Sequence, residues 1–258
     1  MSERIHPTAI VDADVQLGAG VEIGPGAIVG PKCILGDGCV IAPHAVLERN
    51  VRLGDGVNVG VGSVIGGAPQ DLKWKGEETW VEVGAGTVIR EYATINRGTT
   101  HSWKTVVGTE CFLMSYVHVA HDCQLADGVM ISNGTQLAGH VVIEDHAILS
   151  GLCAVHQFVR IGRHSFIGGA SRIAKDVAPF VKAVGNPPTL FGLNAVGLQR
   201  SGFAEATIRE LKRAYRLFFN SDLNLAQAAQ RAHAELEMLP EVAHFVAFVE
   251  KSERGVVI

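Results

Sequence analysis

Three histidines are spaced so that they could act together in one site. His121, His140 and His156 follow one another at intervals of nineteen and then sixteen along the sequence. An imidazole exchanges protons near neutral pH, and it is the usual side chain for taking a proton from a hydroxyl group. Three converging imidazoles could also bind a metal ion, or they could form an inert hydrogen-bonded ladder. The period of the chain that carries them decides whether they converge at all.

The chain has a six-residue repeat. From Ile5, every sixth residue is Ile, Leu or Val through residues 5–65, 83–95 and 107–173. The fourth residue after each aliphatic is small or β-branched, with Pro69 as the one misfit. A period of six is neither helical nor simply alternating, and it predicts a short strand followed by a corner. Three such units close a triangular coil of about 18 residues, and successive coils stack about 4.8 Å apart as a parallel β-helix.

A coil of this length brings the three histidines to one edge of the prism, because residues about one coil apart stack on each other. His118 lies on the approach to the same corner. Gly139 and Gln157 follow His121 at successive steps of one whole coil, so these positions form one column. We therefore expect a polar cluster at one corner of neighbouring coils.

General-base catalysis is the interpretation that we favour for this cluster. Asp122 follows His121 and could orient the imidazolium, although an ordinary corner aspartate is the alternative. Gly139 has no side chain, so its backbone N–H could approach a developing oxyanion. The zinc-binding hexapeptide-repeat proteins carry a His-x4-His pattern, whereas this chain has His118-x2-His121, so we expect no metal. Neither the metal site nor the inert ladder is excluded by spacing alone.

Two gaps and a tail interrupt the repeat. Residues 66–82 and 101–106 leave the register and return to it, which predicts two external loops. The pattern stops after Asp176, and helical periodicity follows the Gly-Asn-Pro-Pro run that begins at Gly185. We expect a β-helix over residues 1–185 and a small α-helical domain over residues 186–258.

Composition limits the function classes. The 258 residues carry a formal net charge of −4, which makes nucleic acid a poor candidate partner. No apolar run reaches membrane-spanning length and no signal segment is recognisable, so we expect a cytoplasmic protein. The chain has an odd number of cysteines, five, and all of them occupy the small inward position of the repeat. We expect them to be core residues in a reducing compartment, without catalytic or disulfide chemistry.

Short motifs resemble one family of hexapeptide-repeat acyltransferases, the UDP-N-acetylglucosamine 3-O-acyltransferases. The motifs are Gln70-Asp71-Leu72-Lys73, Val119-Ala120-His121-Asp122-Cys123, Leu137-Ala138-Gly139-His140-Val141, Ala154-Val155-His156-Gln157-Phe158 and Phe191-Gly192-Leu193-Asn194. The resemblance covers essentially the whole chain. It implies an all-β left-handed parallel β-helix followed by a small α-helical C-terminal domain, although parallel crossovers are nearly always right-handed.

The resemblance also implies a reaction without a cofactor. A (R)-3-hydroxyacyl chain would move from acyl carrier protein to the 3-position of UDP-N-acetylglucosamine, which is the first step of lipid A biosynthesis. His121 would be the general base and the Gly139 amide the oxyanion donor. The residues that would position the sugar are Asp71, Lys73, His118, His140 and His156. The nucleotide would be held by Gln157, Asn194 and Arg200. Gly169 would be the acyl-chain ruler, and it would leave room for a chain of the 14-carbon type. The family assembles as homotrimers with sites between subunits.

Several points stay open at this stage. Val196 and Ser201 replace a glutamate and a basic residue that the family often carries at the nucleotide end. No residue distinguishes UDP-N-acetylglucosamine from its 3-amino analogue. A basic cluster on the helical tail is either a dock for acyl carrier protein or a solvated helix face; its members are Arg209, Lys212, Arg213 and Arg216.

Two other functions are alternatives to this one. The first is a later N-acyltransferase of the same pathway, which carries an added domain before its coils, whereas the repeat begins at Ile5 here. The second is a non-enzymatic scaffold, which would give the stacked histidines no purpose.

Overall fold

Most of the molecule is a stack of triangular coils. The computed structural model describes residues 4–258, and strands numbered β1 to β28 along the chain form three sheets, one on each side of the triangle. The first sheet contains β1 Arg4–Ile5, β4 Glu22–Ile23, β7 Val40–Ile41, β10 Asn58–Val59, β13 Val88–Ile89, β16 Phe112–Leu113, β19 Met130–Ile131, β22 Ile148–Leu149, β25 Phe166–Ile167, β27 Val181–Gly185 and β28 Pro188–Leu193. The second contains β2 Ile10–Val11, β5 Ile28–Val29, β8 Val46–Leu47, β11 Val64–Gly67, β14 Thr94–Asn96, β17 His118–Val119, β20 Gln136–Leu137, β23 Ala154–Val155 and β26 Arg172–Ile173. The third contains β3 Gln16–Leu17, β6 Ile34–Leu35, β9 Val51–Leu53, β12 Trp80–Val83, β15 Lys104–Val107, β18 Gln124–Leu125, β21 Val142–Ile143 and β24 Arg160–Ile161.

The six-residue repeat has the structural meaning that the pattern predicts. Strands one coil apart pair in parallel at the predicted step, as Ile5 does with Ile23. The repeating aliphatic is an inward-facing strand residue, and Val29 is fully buried. The small residue two positions before it, Ala27, fills the same axial core. Burial of one large and one small side chain per unit therefore holds the prism together.

The coil turns at three corners, which we number by the sheets that they join. Corner 1 lies between the first and second sheets, corner 2 between the second and third, and corner 3 between the third and first. In most corner turns the second residue has a positive φ, which favours glycine. At corner 2 of three successive coils this position holds Asp122, His140 and Phe158, with φ of 60°, 63° and 63°. Large side chains occupy this turn position at another corner as well, as Tyr116 and Leu152 do with φ of 64° and 60°, so the backbone conformation alone does not mark a functional site.

Both gaps in the repeat are insertions at corner 2. The first loop, residues 68–79, joins β11 to β12, and the second loop, residues 97–103, joins β14 to β15. The first loop is shorter than the predicted 66–82, and the second begins earlier than the predicted 101–106. The difference arises because Trp80–Val83 and Lys104–Val107 are four-residue strands that pair with each other at the base of the loops. Coil pairing resumes beyond each loop, so the register is preserved as predicted.

A hairpin straddles the predicted boundary between residues 185 and 186. Strand β27 pairs in parallel with β25, and β28 returns antiparallel to β27. Helices follow only after it: α1 Ala195–Arg200, α2 Glu205–Phe219, α3 Leu225–Glu235 and α4 Pro240–Glu250. The division into residues 1–185 and 186–258 stays a prediction.

The helices pack on each other and send the chain back to the prism. Phe218 of α2 meets Phe245 of α4, with ring centroids 5.6 Å apart. The C-terminal tail, residues 251–257, then reaches corner 2 of the last coil, where Val256 forms a bridge with Asp176. In the described part of the chain, no helix has the length and apolarity needed to cross a membrane.

The five cysteines lie in the axial core, as predicted. Burial raises the pKa of the Cys33 thiol to about 11 and that of Cys123 to about 12. These thiols are therefore protonated near neutral pH, which makes them poor nucleophiles.

Candidate active site

Corner 2 carries the predicted cluster in three successive coils. The turns His121–Asp122, Gly139–His140 and Gln157–Phe158 stack in order along the axis. The His140 N–H donates to the His121 carbonyl oxygen at 3.0 Å. The ring centroids of His121 and His140 are 5.0 Å apart. The coil period thus places these two imidazoles side by side, as the sequence predicts.

His121 is held by a fully buried carboxylate. Its Nδ1 donates to Oδ2 of Asp122 at 2.8 Å. The same carboxylate accepts the N–H and hydroxyl of Thr99 at 2.9 and 2.7 Å, and it also accepts both donors of Ser102. Burial alone would raise the pKa of Asp122, but hydrogen bonds from His121, Ser102 and Thr99 outweigh it and hold that pKa far below the ordinary range. An ionised carboxylate only accepts, so the proton of neutral His121 sits on Nδ1 and Nε2 is left as a free base.

Gly139 makes room for the His121 ring. A Cβ at residue 139 would lie 2.5 Å from Cε1 and 2.7 Å from Nε2 of that ring. Within residues 4–258 the Gly139 N–H has no hydrogen-bond acceptor. The position therefore combines space for the His121 imidazole with an uncommitted N–H donor close to Nε2.

His140 is packed on three sides by rings. Phe158 stacks on it, with ring centroids 4.3 Å apart and an angle of 2° between the ring planes. His101 meets it edge-on, with ring centroids 4.6 Å apart and an angle of 77° between the ring planes. Its Nδ1 is 3.7 Å from Asp122 Oδ2 and, in the described chain, is buried without a hydrogen-bond partner. Burial lowers the pKa of His140, Asp122 opposes the shift, and His121 adds to it. His140 is therefore a neutral hydrogen-bonding group near pH 7 rather than a cation.

The first loop folds over the same corner. Asp71 and Lys73 line a cavity of about 320 Å³ together with His101, His140 and Phe158. The Lys73 N–H donates to Asp71 Oδ1 at 2.9 Å, which shapes the loop as a tight turn. Two predicted sugar-binding residues are thus brought next to His140.

His118 and His156 flank this centre, His118 within strand β17 and His156 immediately after strand β23. His118 faces outward on β17, where its Nδ1 is 2.7 Å from the Thr94 hydroxyl. His156 directly precedes the corner-2 turn of its coil, and its ring contacts the tail, with Nδ1 3.2 Å from Nη2 of Arg254. Gln157 follows it as an exposed residue, in the predicted column with Gly139. All three keep to the predicted edge, but the structure gives His156 a partner from the far end of the chain.

Three residues of the site escaped the sequence analysis. Thr99, His101 and Ser102 belong to the second loop, which has no six-residue pattern to place its side chains. The register did contain a signal, because the gap falls between a second-sheet and a third-sheet strand and hence at corner 2. Any polar side chain in that insertion was a candidate neighbour of His121.

The remaining predicted residues lie on other corners of the same chain. Asn194 and Arg200 line a cavity of about 360 Å³ with His146 and His164 of corner 3. The Asn194 Nδ2 donates to the His164 carbonyl oxygen at 3.0 Å. Gly169 sits at corner 1. One copy of the chain therefore places the predicted base, the predicted nucleotide residues Asn194 and Arg200, and the predicted acyl ruler on three different edges, while Gln157 shares the edge of the base.

A metal ion suits this geometry poorly. Ligand atoms of His121, Asp122 and His140 do lie within 4.8 Å of one another. However, the Asp122 oxygens already accept hydrogen bonds from His121, Thr99 and Ser102. A cation would have to displace these donors from a carboxylate that they satisfy, so the residues fit a hydrogen-bonded base and its partner better than a metal.

Comparisons with known proteins agree on one family. Residues 176–257 match the family model described as "Udp N-acetylglucosamine O-acyltransferase; Domain 2", and residues 14–49 match the bacterial transferase hexapeptide model. The chain is 45% identical over 192 residues to the acyl-[acyl-carrier-protein]–UDP-N-acetylglucosamine O-acyltransferase of Anaeromyxobacter sp. (strain K), covering 74% of this chain and 75% of the relative. Similar solved structures include LpxA from Acinetobacter baumannii, with 40% identity and a TM-score of 0.95, and LpxA from Bacteroides fragilis, with 38% identity and a TM-score of 0.97. Each comparison covers 98% of this chain and 99% of the solved one. The predicted fold class, a left-handed parallel β-helix with a small helical C-terminal part, is confirmed.

Proposed function

Since the chain belongs to the family of acyl-[acyl-carrier-protein]–UDP-N-acetylglucosamine O-acyltransferases, which catalyse the first step of lipid A biosynthesis, we propose that corner 2 is where it carries out acyl transfer. The acceptor is the sugar 3-hydroxyl, and the donor is the thioester of a (R)-3-hydroxyacyl chain on acyl carrier protein. The observation that carries the proposal is the buried His121–Asp122 pair, with Nε2 free beside the glycine at residue 139.

In the proposed mechanism, His121 takes one proton from the sugar hydroxyl and then gives it to the leaving group. Nε2 of His121 takes the proton of the 3-hydroxyl as the oxygen attacks the thioester carbonyl carbon. The carbonyl oxygen becomes an oxyanion, which accepts the N–H of Gly139. The intermediate then collapses, the carbon–sulfur bond breaks, and the departing sulfur takes the proton from Nε2. Asp122 stays ionised throughout and stabilises the transient imidazolium.

The sugar lies in the cavity under the first loop in this proposal. Asp71, Lys73 and His140 line that cavity, and His118 and His156 border the corner on either side. A sugar ring placed there lies against His140, whose ring centroid is 5.0 Å from that of His121. Gln157 continues the column toward the nucleotide.

A second copy of the chain completes the site in our proposal. Asn194 and Arg200 hold the nucleotide end of the substrate, but they lie at corner 3, away from His121 of the same chain. The Asn194 and Arg200 that bind the substrate of one His121 therefore belong to a neighbouring subunit of a homotrimer. Val196 and Ser201 line the same cavity as Arg200. Arg200 is then the one basic side chain that α1 offers to the diphosphate.

The acyl donor extends the proposal to the remaining residues. Gly169 leaves the acyl groove open at corner 1 for a chain of the 14-carbon type. The acidic carrier protein docks on the basic cluster of α2, where charge chiefly speeds encounter. Arg213 of that cluster is already ion-paired with Glu210 at 2.8 Å, so the other three basic residues carry the attraction.

The five free thiols suit the reducing cytoplasm in which we place the protein.

A product assay tests the reaction. The purified protein is mixed with hydroxyacyl carrier proteins of several chain lengths and with UDP-N-acetylglucosamine or its 3-amino analogue, and the products are identified by mass spectrometry. We expect an ester product, formed fastest with a 14-carbon chain. An amide formed only from the 3-amino sugar would overturn the choice of acceptor, and no product from any combination would overturn the function.

Subunit complementation tests the shared site. His121→Ala and Arg200→Ala each lose turnover alone, but co-assembled subunits restore it, because one copy supplies the base and its neighbour the arginine. Light scattering should give about 82 kDa, three times the 27.4 kDa chain. If mixed subunits of that mass stay inactive, the site is not shared.

A further inference from the structure

The C-terminal tail is tied to corner 2 through a buried aspartate. Asp176 is 1% exposed, and its N–H donates to the Gly255 carbonyl oxygen at 3.1 Å. Its own carbonyl oxygen accepts the Val257 N–H at 2.8 Å, and its Oδ2 accepts the Ser252 hydroxyl at 2.8 Å. Three contacts to one buried residue fix residues 252–257 against the last coil.

The fixed tail presents one side chain to the histidine edge. Nη2 of Arg254 lies 3.2 Å from Nδ1 of His156. The same Nδ1 lies 3.1 Å from the backbone carbonyl oxygen of Gln157. A guanidinium only donates and a carbonyl only accepts, so one ring nitrogen cannot bond to both at once. A proton on Nδ1 selects Gln157, and a bare Nδ1 selects Arg254.

We propose that Arg254 is a positioning residue that holds His156 in the tautomer with its proton on Nε2. His156 then faces the sugar nucleotide as a hydrogen-bond donor, which suits a ligand whose hydroxyl, carbonyl and phosphate oxygens are acceptors. Without Arg254, Nδ1–H turns to Gln157 and Nε2 presents a lone pair to those oxygens. The inference rests on the proposed function, in which His156 contacts the sugar nucleotide.

Direct contact with the ligand is the competing role for Arg254. The residue lines a cavity of about 680 Å³ that also includes His140, Phe158 and Arg160. In that role the arginine would act independently of His156. A double-mutant cycle separates the two roles, because only groups that act through each other are non-additive.

The experiment measures the affinity for UDP-N-acetylglucosamine by calorimetry, and its KM and kcat by steady-state kinetics. The variants are Arg254→Ala, His156→Ala, the double variant and Arg254→Lys. Arg231→Ala is the matched control, since that arginine pairs with Glu235 on the exposed face of α3. Melting temperatures show which variants keep the tail in place.

We expect Arg254→Ala to weaken binding about tenfold, with a smaller change in kcat, because one charge-assisted hydrogen bond is lost. In the His156→Ala background the same change should have no further effect. Arg254→Lys should recover most of the affinity, since an ammonium also only donates, and Arg231→Ala should match the unmodified protein.

Additive losses in the cycle, or unchanged affinity in Arg254→Ala, would overturn the inference. The outcome is distinguishable from failure of the proposed function. If only the inference about Arg254 fails, the unmodified enzyme still acylates UDP-N-acetylglucosamine. If the proposed function fails, the unmodified enzyme forms no product.

Discussion

Replacing Gly139 by alanine tests the geometry of the proposed base most directly. The added methyl carbon would sit 2.5 Å from Cε1 and 2.7 Å from Nε2 of His121. Ordinary carbon contacts begin near about 3.5 Å, so the ring must retreat by about 1 Å. It cannot do so without stretching the 2.8 Å hydrogen bond from Nδ1 to Asp122. Gly139 is outside the left-handed region, so the alanine itself brings no backbone strain.

A displacement of about 1 Å at a reacting group costs on the order of 10²-fold in rate, or about 2.7 kcal/mol of barrier. We expect kcat in Gly139→Ala to fall by that factor, while the melting temperature and oligomeric state stay the same. Turnover is measured at saturating UDP-N-acetylglucosamine and hydroxyacyl carrier protein. The loss should appear even though the Gly139 N–H is kept.

Gly38→Ala is the matched control. Gly38 has φ of +66° at corner 3, and a Cβ there meets nothing within 4 Å. Alanine should cost about 1 kcal/mol of stability through left-handed strain and leave kcat unchanged. If Gly139→Ala keeps kcat within threefold of the unmodified enzyme, His121 does not lie where the mechanism needs it.

Three further predictions follow from named contacts. Asp122→Asn should lower kcat by about 10²- to 10⁴-fold, because an amide no longer fixes the His121 tautomer, and turnover near normal would exclude the pair as the catalytic unit. Burial, His146 and Arg163 lower the pKa of His164 to about 4, so the folded chain binds fewer protons than the unfolded chain below about pH 6.5. Folding stability is therefore lost as pH falls from about 6.5 to about 4, and the loss amounts to about 2 kcal/mol by pH 5. The variant His164→Asn, whose asparagine suits the positive φ there, should lose less stability between pH 7 and pH 5 in urea titrations. Equal losses in the variant and the unmodified protein would contradict the assignment of this pH dependence to His164. The five cysteines should resist iodoacetamide at pH 7.5 until the chain unfolds, as followed by mass spectrometry, and rapid labelling of the native protein would contradict their burial.

The six-residue repeat was sufficient to predict the edge on which His121 and His140 meet. A constant coil length converts sequence separation into position, because each coil is the same prism section. The inward cysteines followed from the same count. The loops could not be placed so well, since their bounds depend on where β12 and β15 lengthen to pair with each other.

The sequence named Asp122 as a residue that could orient His121, but it could not decide between this role and an ordinary corner aspartate, for a physical reason. Neighbouring residues often point apart, and only the donors of Thr99 and Ser102 from the second loop turn this carboxylate toward His121. The contact of Arg254 with His156 spans 98 residues and has no local pattern at all. Such contacts depend on tertiary packing, which no periodicity reports.

Under the proposed function, the distribution of the site residues over the corners makes one prism alone an incomplete enzyme. Both loops leave the coil at corner 2, so the proposed base His121, the Asp122 carboxylate and the first-loop residues meet there within one copy of the chain. Arg200 at corner 3 and Gly169 at corner 1 face other directions. Because the coils are rigid, no bending of one chain can bring these edges together, whereas parallel prisms around a threefold axis place different corners of neighbouring copies face to face. Replacing Asn194 or Arg200 by alanine should therefore raise the KM for the sugar nucleotide in the neighbouring subunit's site and leave the His121–Asp122 pair of the substituted chain intact.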